Sequence, residues 1–283
     1  MMIALYLSIE DALSRRRWTY ADSPADLIVL ILMDSSEDIA LSHIPDTDGG
    51  NDVVKCRCIV IVNKQGGRIM TTLYTREQVC SVCGTEVSAV SISSTNTFGS
   101  MDLDTRPAQM KRGTMKYWVY RCPACGYVAD NLAKPIPVPE DFLESEQYLS
   151  FGDHESLSEL GRTFMQQGRI ASCAGNNSDA MHAYIHAAWC ADDASDEYWS
   201  KQARLLALEE MGKQGYLTDE SILALKADLL RKTEQFEELI TEYKSKTFSD
   251  DLISKIITFQ LLKATEQDTK TYTVEEVLAE SGS

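Results

Sequence analysis

Two short stretches, Cys80-Ser-Val-Cys83-Gly84 and Cys122-Pro-Ala-Cys125-Gly126, decide the fold that this chain can adopt. Two residues between a pair of cysteines allow one tight turn to direct both thiol groups at the same ion. The glycine after each second cysteine permits the left-handed backbone that such a turn requires. Two of these turns complete a tetrahedron, so the sequence predicts one metal ion bound by four cysteines.

Zinc in a structural role is the ion that suits this site best. Four thiolate ligands fill a tetrahedral coordination shell, which leaves no position for a reactive water molecule. The same paired turns also resemble the iron site of rubredoxins, so a rubredoxin-like iron redox protein is an alternative. A redox dithiol at Cys122 and Cys125 is disfavoured, because the flanking sequence lacks a βαβ pattern.

The 38 residues between Cys83 and Cys122 exceed what a compact zinc ribbon requires and predict an inserted loop. Apolar and polar side chains alternate over residues 86–92 and again over 116–120, which indicates short β-strands on either side of that loop. The cysteine-anchored segment is therefore expected to be a small β zinc ribbon.

The inserted loop contains a compact group of charged residues, Asp102, Asp104 and Arg106. Polar loops held on a rigid scaffold are common ligand sites, so these residues form a candidate ligand loop. The alternative is structural: Arg106 pairs with a carboxylate and fixes the loop. No histidine or nucleophile accompanies the carboxylates, so we predict no catalytic residue among them.

The pattern becomes helical in the second half of the chain. Within residues 178–191, apolar side chains recur at helical spacing behind Ser178, a candidate N-cap: Met181, Tyr184, Ile185, Ala188 and Trp189. Similar patterns predict helices over 195–211, 219–231, 234–245 and 249–265, with Gly212 ending the first of them. Paired helices favour a tetratricopeptide-like antiparallel α-solenoid, although the spacing is not a regular 34 residues.

These patterns predict an α+β, mostly α, chain with a zinc-ribbon domain at 70–134, a proline-rich linker at 135–150 and a tetratricopeptide-like helical domain at 151–283. Residues 1–69 show no sustained helical or strand period until CRCIVIV at 56–62. The codons for Gln65-Gly66-Gly67 can spell a ribosome-binding sequence just before Met70. We therefore expect residues 1–69 to be a non-native or poorly ordered N-terminal extension.

Charge excludes one class of partner. The net charge is −16, and residues 140–283 carry 28 acidic and 13 basic side chains. Nucleic-acid binding requires clustered cations, so we do not expect it. It would need a basic stripe along the ribbon, made of Arg106, Lys111, Arg112, Lys116 and Arg121. A protein or peptide partner is the expectation instead.

Eight cysteines without a secretory signal indicate a reducing compartment, and we predict a cytoplasmic protein. The longest purely apolar run, residues 27–33, is far shorter than the roughly 20 residues of a membrane span. We therefore expect no contact with a membrane.

His182, His186 and Cys190 recur every four residues along one predicted helix and could supply three ligands in a row. Small alanines flank them, so close helix packing is the favoured interpretation, and a HxxxH pair without a suitably placed Glu is weak support for a metal. The second functional hypothesis is an enzyme with its site between the ribbon loop and the helices, using this row or the carboxylates of the loop.

The run from Thr95 to Pro107, the segment Met115-Lys-Tyr-Trp118 and Cys122-Pro-Ala-Cys-Gly-Tyr127 together resemble an uncharacterised bacterial family. Its members join a four-cysteine zinc ribbon to a tetratricopeptide-like helical region, and the resemblance covers residues 71–265. It implies the fold and a bound metal but no activity. We therefore expect a zinc-binding interaction or scaffold protein whose helical groove binds a partner.

Overall fold

The computed structural model describes residues 18–20, 28–33, 58–63, 71–139, 141–151, 157–214 and 219–280. The chain divides into two compact units, one of Met1–Glu77 with Ser88–Asn96 and one of Gln78–Val87 with Thr97–Ser283. Most of the predicted extension at residues 1–69 lies outside the described residues, so the prediction about its origin stays a prediction.

The first unit is built on a five-stranded sheet in the order β1-β2-β3-β4-β5. Its strands are β1 Trp18–Tyr20, β2 Ile28–Met33, β3 Cys58–Asn63, β4 Thr71–Val79 and β5 Glu86–Thr95. β2 and β3 pair in parallel, whereas β1 with β2 and β3 with β4 are antiparallel. The alternation over residues 86–92 thus predicted the beginning of β5 correctly.

The second unit begins with the ribbon, which we define as residues 78–87 and 118–134. Strands β6 Tyr120–Arg121 and β7 Val128–Ala129 form an antiparallel pair around the second cysteine turn. Between the halves of the ribbon lie helix α1 Gln109–Arg112 and a 3-10 turn at Met115–Tyr117. The strand predicted over 116–120 is therefore wrong for most of its length: alternation over five residues does not distinguish a strand from a single 3-10 turn.

Helices form the rest of this unit. They are α2 Glu146–Leu149, α3 Glu159–Cys173, α4 Asn177–Asp193, α5 Glu197–Gln214, α6 Glu220–Lys232, α7 Phe236–Tyr243, α8 Asp251–Thr265 and α9 Val274–Glu280. The four predicted helices after α4 are present within three residues of their expected ends. The α+β, mostly α, class is confirmed.

Two predicted helix boundaries are wrong. Ser178 lies inside α4, whose N-cap position is Asn176 without a side-chain cap, and Gly212 lies inside α5. Nothing contacts a Cβ built at Gly212, so that position tolerates the helical backbone without needing glycine. One glycine or serine is a weak boundary signal when packing favours a longer helix.

The same tight turn ends four helices. A residue with positive φ follows α3, α4, α6 and α8, namely Gly175, Ser195, Glu234 and Gln267. After each one, the next N–H donates to a carbonyl five residues earlier at 2.8–2.9 Å, the bond of a Schellman motif. In three of the four cases the next helix begins two residues after the residue with positive φ.

Two hydrophobic cores lie within the second unit. The larger joins ribbon residues such as Cys122, Tyr127 and Leu132 to side chains of α3, α4 and α5. The smaller is built from α6 to α9 and includes Leu103 of the inserted loop. The ribbon therefore packs on the helices and shares their core.

Residues 135–150, predicted as a linker, also contribute to the larger core. Ile136 and Val138 pack against it, and Phe142 and Tyr148 are buried in it. Among the helices that the structure describes, none is both long enough and apolar enough to cross a membrane.

Candidate metal centre

The two cysteine turns of the ribbon have the same backbone geometry. Gly84 and Gly126 donate their N–H groups to the carbonyl oxygens of Cys80 and Cys122 at 2.9 and 3.0 Å. Both glycines have a φ of +74°, which explains why glycine follows each second cysteine. In both turns the first cysteine also donates its N–H to the carbonyl five residues later, at 2.8 Å. The same local structure thus presents both pairs of thiols.

The four sulfur atoms lie within 4.8 Å of one another. Cys80 Sγ is 3.7 Å from Cys125 Sγ, and Cys83 Sγ is 3.6 Å from Cys122 Sγ. Sulfur ligands of a tetrahedral zinc ion, with Zn–S bonds of about 2.3 Å, are about 3.8 Å apart, whereas a disulfide bond is about 2.05 Å long. The structure brings together all four predicted ligands, and their spacing suits a metal ion.

The protein environment affects the four thiols differently. The Thr85 hydroxyl lies 3.2 Å from Cys83 Sγ, and hydrogen bonds from Thr85 lower the pKa of Cys83 to about 6. Burial raises the pKa of Cys80 and of Cys125. A bound cation favours the thiolate form, so it would offset the cost of burying these sulfur atoms, and its binding would release protons.

Polar contacts attach the ribbon to the first helices. The Tyr148 hydroxyl donates to the carbonyl of Gly126 at 2.5 Å, and the Arg121 guanidinium donates to the side-chain oxygen of Gln166. Gln78 accepts the N–H of Leu132 at 2.9 Å and thereby joins the two halves of the ribbon. These bonds hold the second cysteine turn in place against α2 and α3.

The candidate ligand loop is fixed by ion pairs. Asp102, Asp104 and Arg106 are all buried. Arg106 pairs with Asp193 of α4 at 2.5 Å, and Asp104 pairs with Arg204 of α5 at 3.0 Å. Of the two interpretations of these residues, the contacts match the structural one, in which Arg106 pairs with a carboxylate.

The pKa values of the two aspartates of the loop are shifted in opposite directions. Burial alone would raise the pKa of Asp104, but Lys232 and Arg204 outweigh it and lower that pKa to about 2. Burial raises the pKa of Asp102, although Arg112 at 2.8 Å opposes the shift. Asp104 is therefore ionised at neutral pH and held by cations, which makes it a poor general base.

His182, His186 and Cys190 recur every four residues along α4 but lie in different environments. His182 is exposed, and its Nδ1 lies 2.8 Å from the Ser178 carbonyl. The ring of His186 packs between Trp118, Phe164 and Trp189, with ring centroids 4.9–5.2 Å away. Burial lowers the pKa of His186 to about 3 and raises that of Cys190 to about 12. The row does not form a cluster of metal ligands among the described residues.

Two cavities open on either side of the Trp118 and His186 rings. One has a volume of about 260 Å³ and is lined by residues of the inserted loop, Trp118 and α4. The other has a volume of about 320 Å³ and lies between residues 130–137 of the ribbon side and helices α3 and α4. We call them the loop cavity and the helix cavity.

The five cations of the hypothetical basic stripe are not equivalent. Arg106 is buried on Asp193, and Arg112 pairs with Asp102. Arg121 donates to Gln166, while Lys116 lies 5.2 Å from the Tyr117 ring. Two of the five positive charges are therefore neutralised within the protein.

Sequence reasoning missed several residues that support these sites. Helix α3 was not predicted, so Gln166 could not be recognised as a contact of the ribbon. Arg204 and Lys232 lie about 100 and 128 residues beyond Asp104, and nothing local marks them as its partners. Trp118 belongs to a motif that was noticed, but its place between two cavities depends on where α4 lies.

Comparison of the chain with protein-family models, with curated proteins and with solved structures finds no match.

Proposed function

We propose that the chain is a protein-interaction protein whose ribbon is stabilised by one structural zinc ion. The single observation that carries the proposal is the cluster of four thiols on two turns of matching geometry, with sulfur spacings of 3.6 and 3.7 Å. Cys80, Cys83, Cys122 and Cys125 would hold the ion. Zinc suits four thiolates because it is tetrahedral and has no redox chemistry of its own.

A structural role follows from the ligand set and from the ribbon's position. Four cysteines complete the coordination shell, so substrate or water has no vacant position to occupy. The ion would join residues 80–83 to residues 122–125, which are distant in sequence and share one core with α3, α4 and α5. Zinc would thus supply stability that the short strands β6 and β7 cannot provide.

The interaction surface that we propose includes the helix cavity. Its walls combine the Pro135-Ile136-Pro137 segment with polar side chains of α3 and α4, and it is open to solvent along His182 and Asp179. Antiparallel helix pairs joined by tight turns offer such grooves in tetratricopeptide-like proteins. A peptide is the expected partner. The bacterial, tetratricopeptide-like family and the cytoplasmic location belong to this proposal, because a reducing compartment keeps four cysteines available for metal.

Metal analysis of purified protein tests the zinc assignment. We expect about one zinc per chain in the wild type and almost none in a Cys122→Ser variant. A Cys173→Ser variant, which removes an exposed cysteine outside the metal centre, should keep its zinc. Visible colour with iron in place of zinc would support the rubredoxin-like alternative. A metal-free protein with a titratable disulfide would contradict both assignments.

Site-specific photo-crosslinking in cells tests the interaction surface. A photoreactive residue at Gln167 lies on the helix cavity, whereas one at Lys255 lies on the exposed side of α8. The proposal predicts a discrete crosslinked protein from position 167 and none from position 255. Equal labelling from both positions, or none from either, would count against a partner-binding groove.

A further inference from the structure

The loop cavity has features of a second binding site, and the inserted loop shapes it. Several residues of the loop line it, among them Thr97, Gly99, Met101, Thr105 and Pro107. Asp102, Asp104 and Arg106 do not line the cavity, and each forms an ion pair with another side chain. The charged residues that suggested a ligand loop therefore hold the backbone, and their neighbours form the wall.

Hydrogen bonds and ion pairs fix the loop on both of its sides in the absence of a ligand. Leu103 N–H donates to the Tyr272 carbonyl at 2.9 Å, and Val274 N–H donates to the Met101 carbonyl at 3.0 Å. On the other side, Arg106 and Asp104 bind α4 and α5. A wall fixed in this way loses little conformational entropy when a ligand binds.

The opposite wall of the loop cavity is aromatic. Trp118, His186 and Trp189 line it, with the His186 ring 5.2 Å from Trp118 and 4.9 Å from Trp189. Among the described residues, His186 makes ring contacts but no hydrogen bond, and its pKa of about 3 keeps it neutral at physiological pH. A neutral imidazole offers one donor and one acceptor to a bound group.

Among the described residues that line this cavity, Lys111 carries an unpaired charge. The Lys111 side chain is exposed and lines the cavity, and no described residue forms an ion pair or hydrogen bond with its ammonium group. The neighbouring cations Arg106 and Arg112 are both paired with aspartates. No carboxylate is among the lining residues, so a negatively charged group is the complementary one.

The size and rim of the cavity define the rest of the ligand. A volume of about 260 Å³ lies just below the roughly 300–1,000 Å³ of pockets for drug-sized molecules, so one ring with a short substituent fits. Phe98 and Met101 expose 74% and 51% of their surface in the loop that forms the rim. Exposed apolar side chains beside a cavity favour an apolar body on the ligand.

From these contacts we infer that the loop cavity binds a carboxylate-bearing aromatic group, with its ring against Trp118 and Trp189 and its carboxylate on Lys111. Two sources supply this chemistry: a free aromatic acid, or the C-terminal residue of a peptide. The site does not depend on the identity of the metal. If the ligand is a peptide, the inference rests on the proposed interaction function; if the ligand is a free aromatic acid, it does not.

Binding to the full-length, metal-loaded protein can be followed by tryptophan fluorescence, because two tryptophans line the cavity. The first probes are 3-phenylpropionate and 3-phenylpropylamine, which share a ring and chain length but carry opposite charges. We expect saturable binding of the acid and at least tenfold weaker binding of the amine. Lys111→Met should weaken binding of the acid about tenfold, and Lys111→Glu should make the protein prefer the amine.

Lys116→Met is the matched control, since Lys116 is an exposed lysine five residues away that does not line the cavity. It should leave both affinities within twofold of the wild type. A Trp118→Phe variant should reduce the fluorescence change and thereby show that the signal comes from the cavity. Circular dichroism of each variant checks that it is folded.

Peptides distinguish the two sources of ligand. A short peptide ending in Phe is compared with its C-terminal amide. If the free-acid peptide binds more tightly than 3-phenylpropionate and its amide does not bind, the ligand is the C-terminal residue of a peptide. If only 3-phenylpropionate binds, the ligand is a small aromatic acid. The inference is overturned if neither acid binds, or if the Lys111 variants bind acid and amine as the wild type does.

Discussion

The cysteine turns and the inserted loop are both irregular stretches of backbone, yet different interactions hold them in place. Each cysteine turn is closed by its own backbone hydrogen bonds and ends in thiols that suit one ion. The loop around Asp104 also has local backbone hydrogen bonds, such as the one between Asp102 and Arg106, but ion pairs to helices α4 and α5 fix it in addition. The cysteine turns can therefore be predicted from a short motif, whereas the position of the loop depends on residues far along the chain.

Among the variants considered, removal of one metal-binding thiol should have the largest effect. In Cys122→Ser, we expect zinc content to fall from about one per chain to near zero, because a three-thiolate site binds zinc weakly. Zinc contributes about 10–16 kcal/mol to zinc-finger peptides, so the ribbon should lose its protection from hydrogen exchange. The loop of residues 96–108 should keep more of its protection, since helices hold it. Simultaneous loss in both regions would show that they form one cooperative unit.

Breaking the loop's ion pair should have the next largest effect. Arg204→Met leaves Asp104 buried without its nearest guanidinium and should lower the free energy of unfolding by about 3–5 kcal/mol. Lys201→Met is the control, because Lys201 pairs with Glu234 at the exposed surface and should cost at most about 1 kcal/mol. Urea titration measures both. Zinc content should be unchanged in either variant, and a loss of zinc in Arg204→Met would contradict the separation of the two regions.

Acid should weaken the loop through Asp104. Its folded pKa of about 2 is below the unfolded value of about 3.9, so its ionisation stabilises the fold above pH 4, and this contribution is lost as the pH falls toward 2. The stability advantage of the wild type over Asp104→Asn should therefore shrink by about 2 kcal/mol between pH 5 and pH 2. Zinc loss in acid affects both proteins and cancels in the comparison. A constant difference across this range would show that Asp104 is not held by cations.

Glycine substitutions should give the smallest effects and compare the two regions directly. Gly84→Ala and Gly126→Ala should each cost about 1–2 kcal/mol, because both have positive φ and open space around the added methyl group. Gly99→Ala should cost more, since its φ is +106° and the new Cβ would lie 3.0 Å from Ala108 Cβ. Unfolding midpoints in urea rank the three variants. Unequal costs at Gly84 and Gly126 would show that the two turns are not energetically equivalent.

Helices show why some elements could be predicted and others could not. Helix α4 buries the apolar residues at helical spacing that marked it, such as Met181, Tyr184 and Trp189, and the pattern located it to within two residues at each end. Helix α3 packs Gly168 so closely on Tyr184 that a Cβ there would lie 2.4 Å from the ring. The helix itself could have been predicted, because it also buries apolar side chains at helical spacing, such as Phe164, Met165 and Ala171. The contact between Gly168 and Tyr184 could not, since it depends on how two helices pack.

The sequence by itself determined the positions of the four cysteines and the turns that present them, because a turn of six residues needs only local hydrogen bonds and a glycine with positive φ. It also determined the amphipathic helices from α4 to α8. Only the tertiary structure decided that the ribbon shares a core with those helices, that Asp104 meets Arg204 and Lys232, and that Trp118 and His186 divide two cavities. Contacts between distant segments depend on how helices pack, and no local pattern specifies that packing.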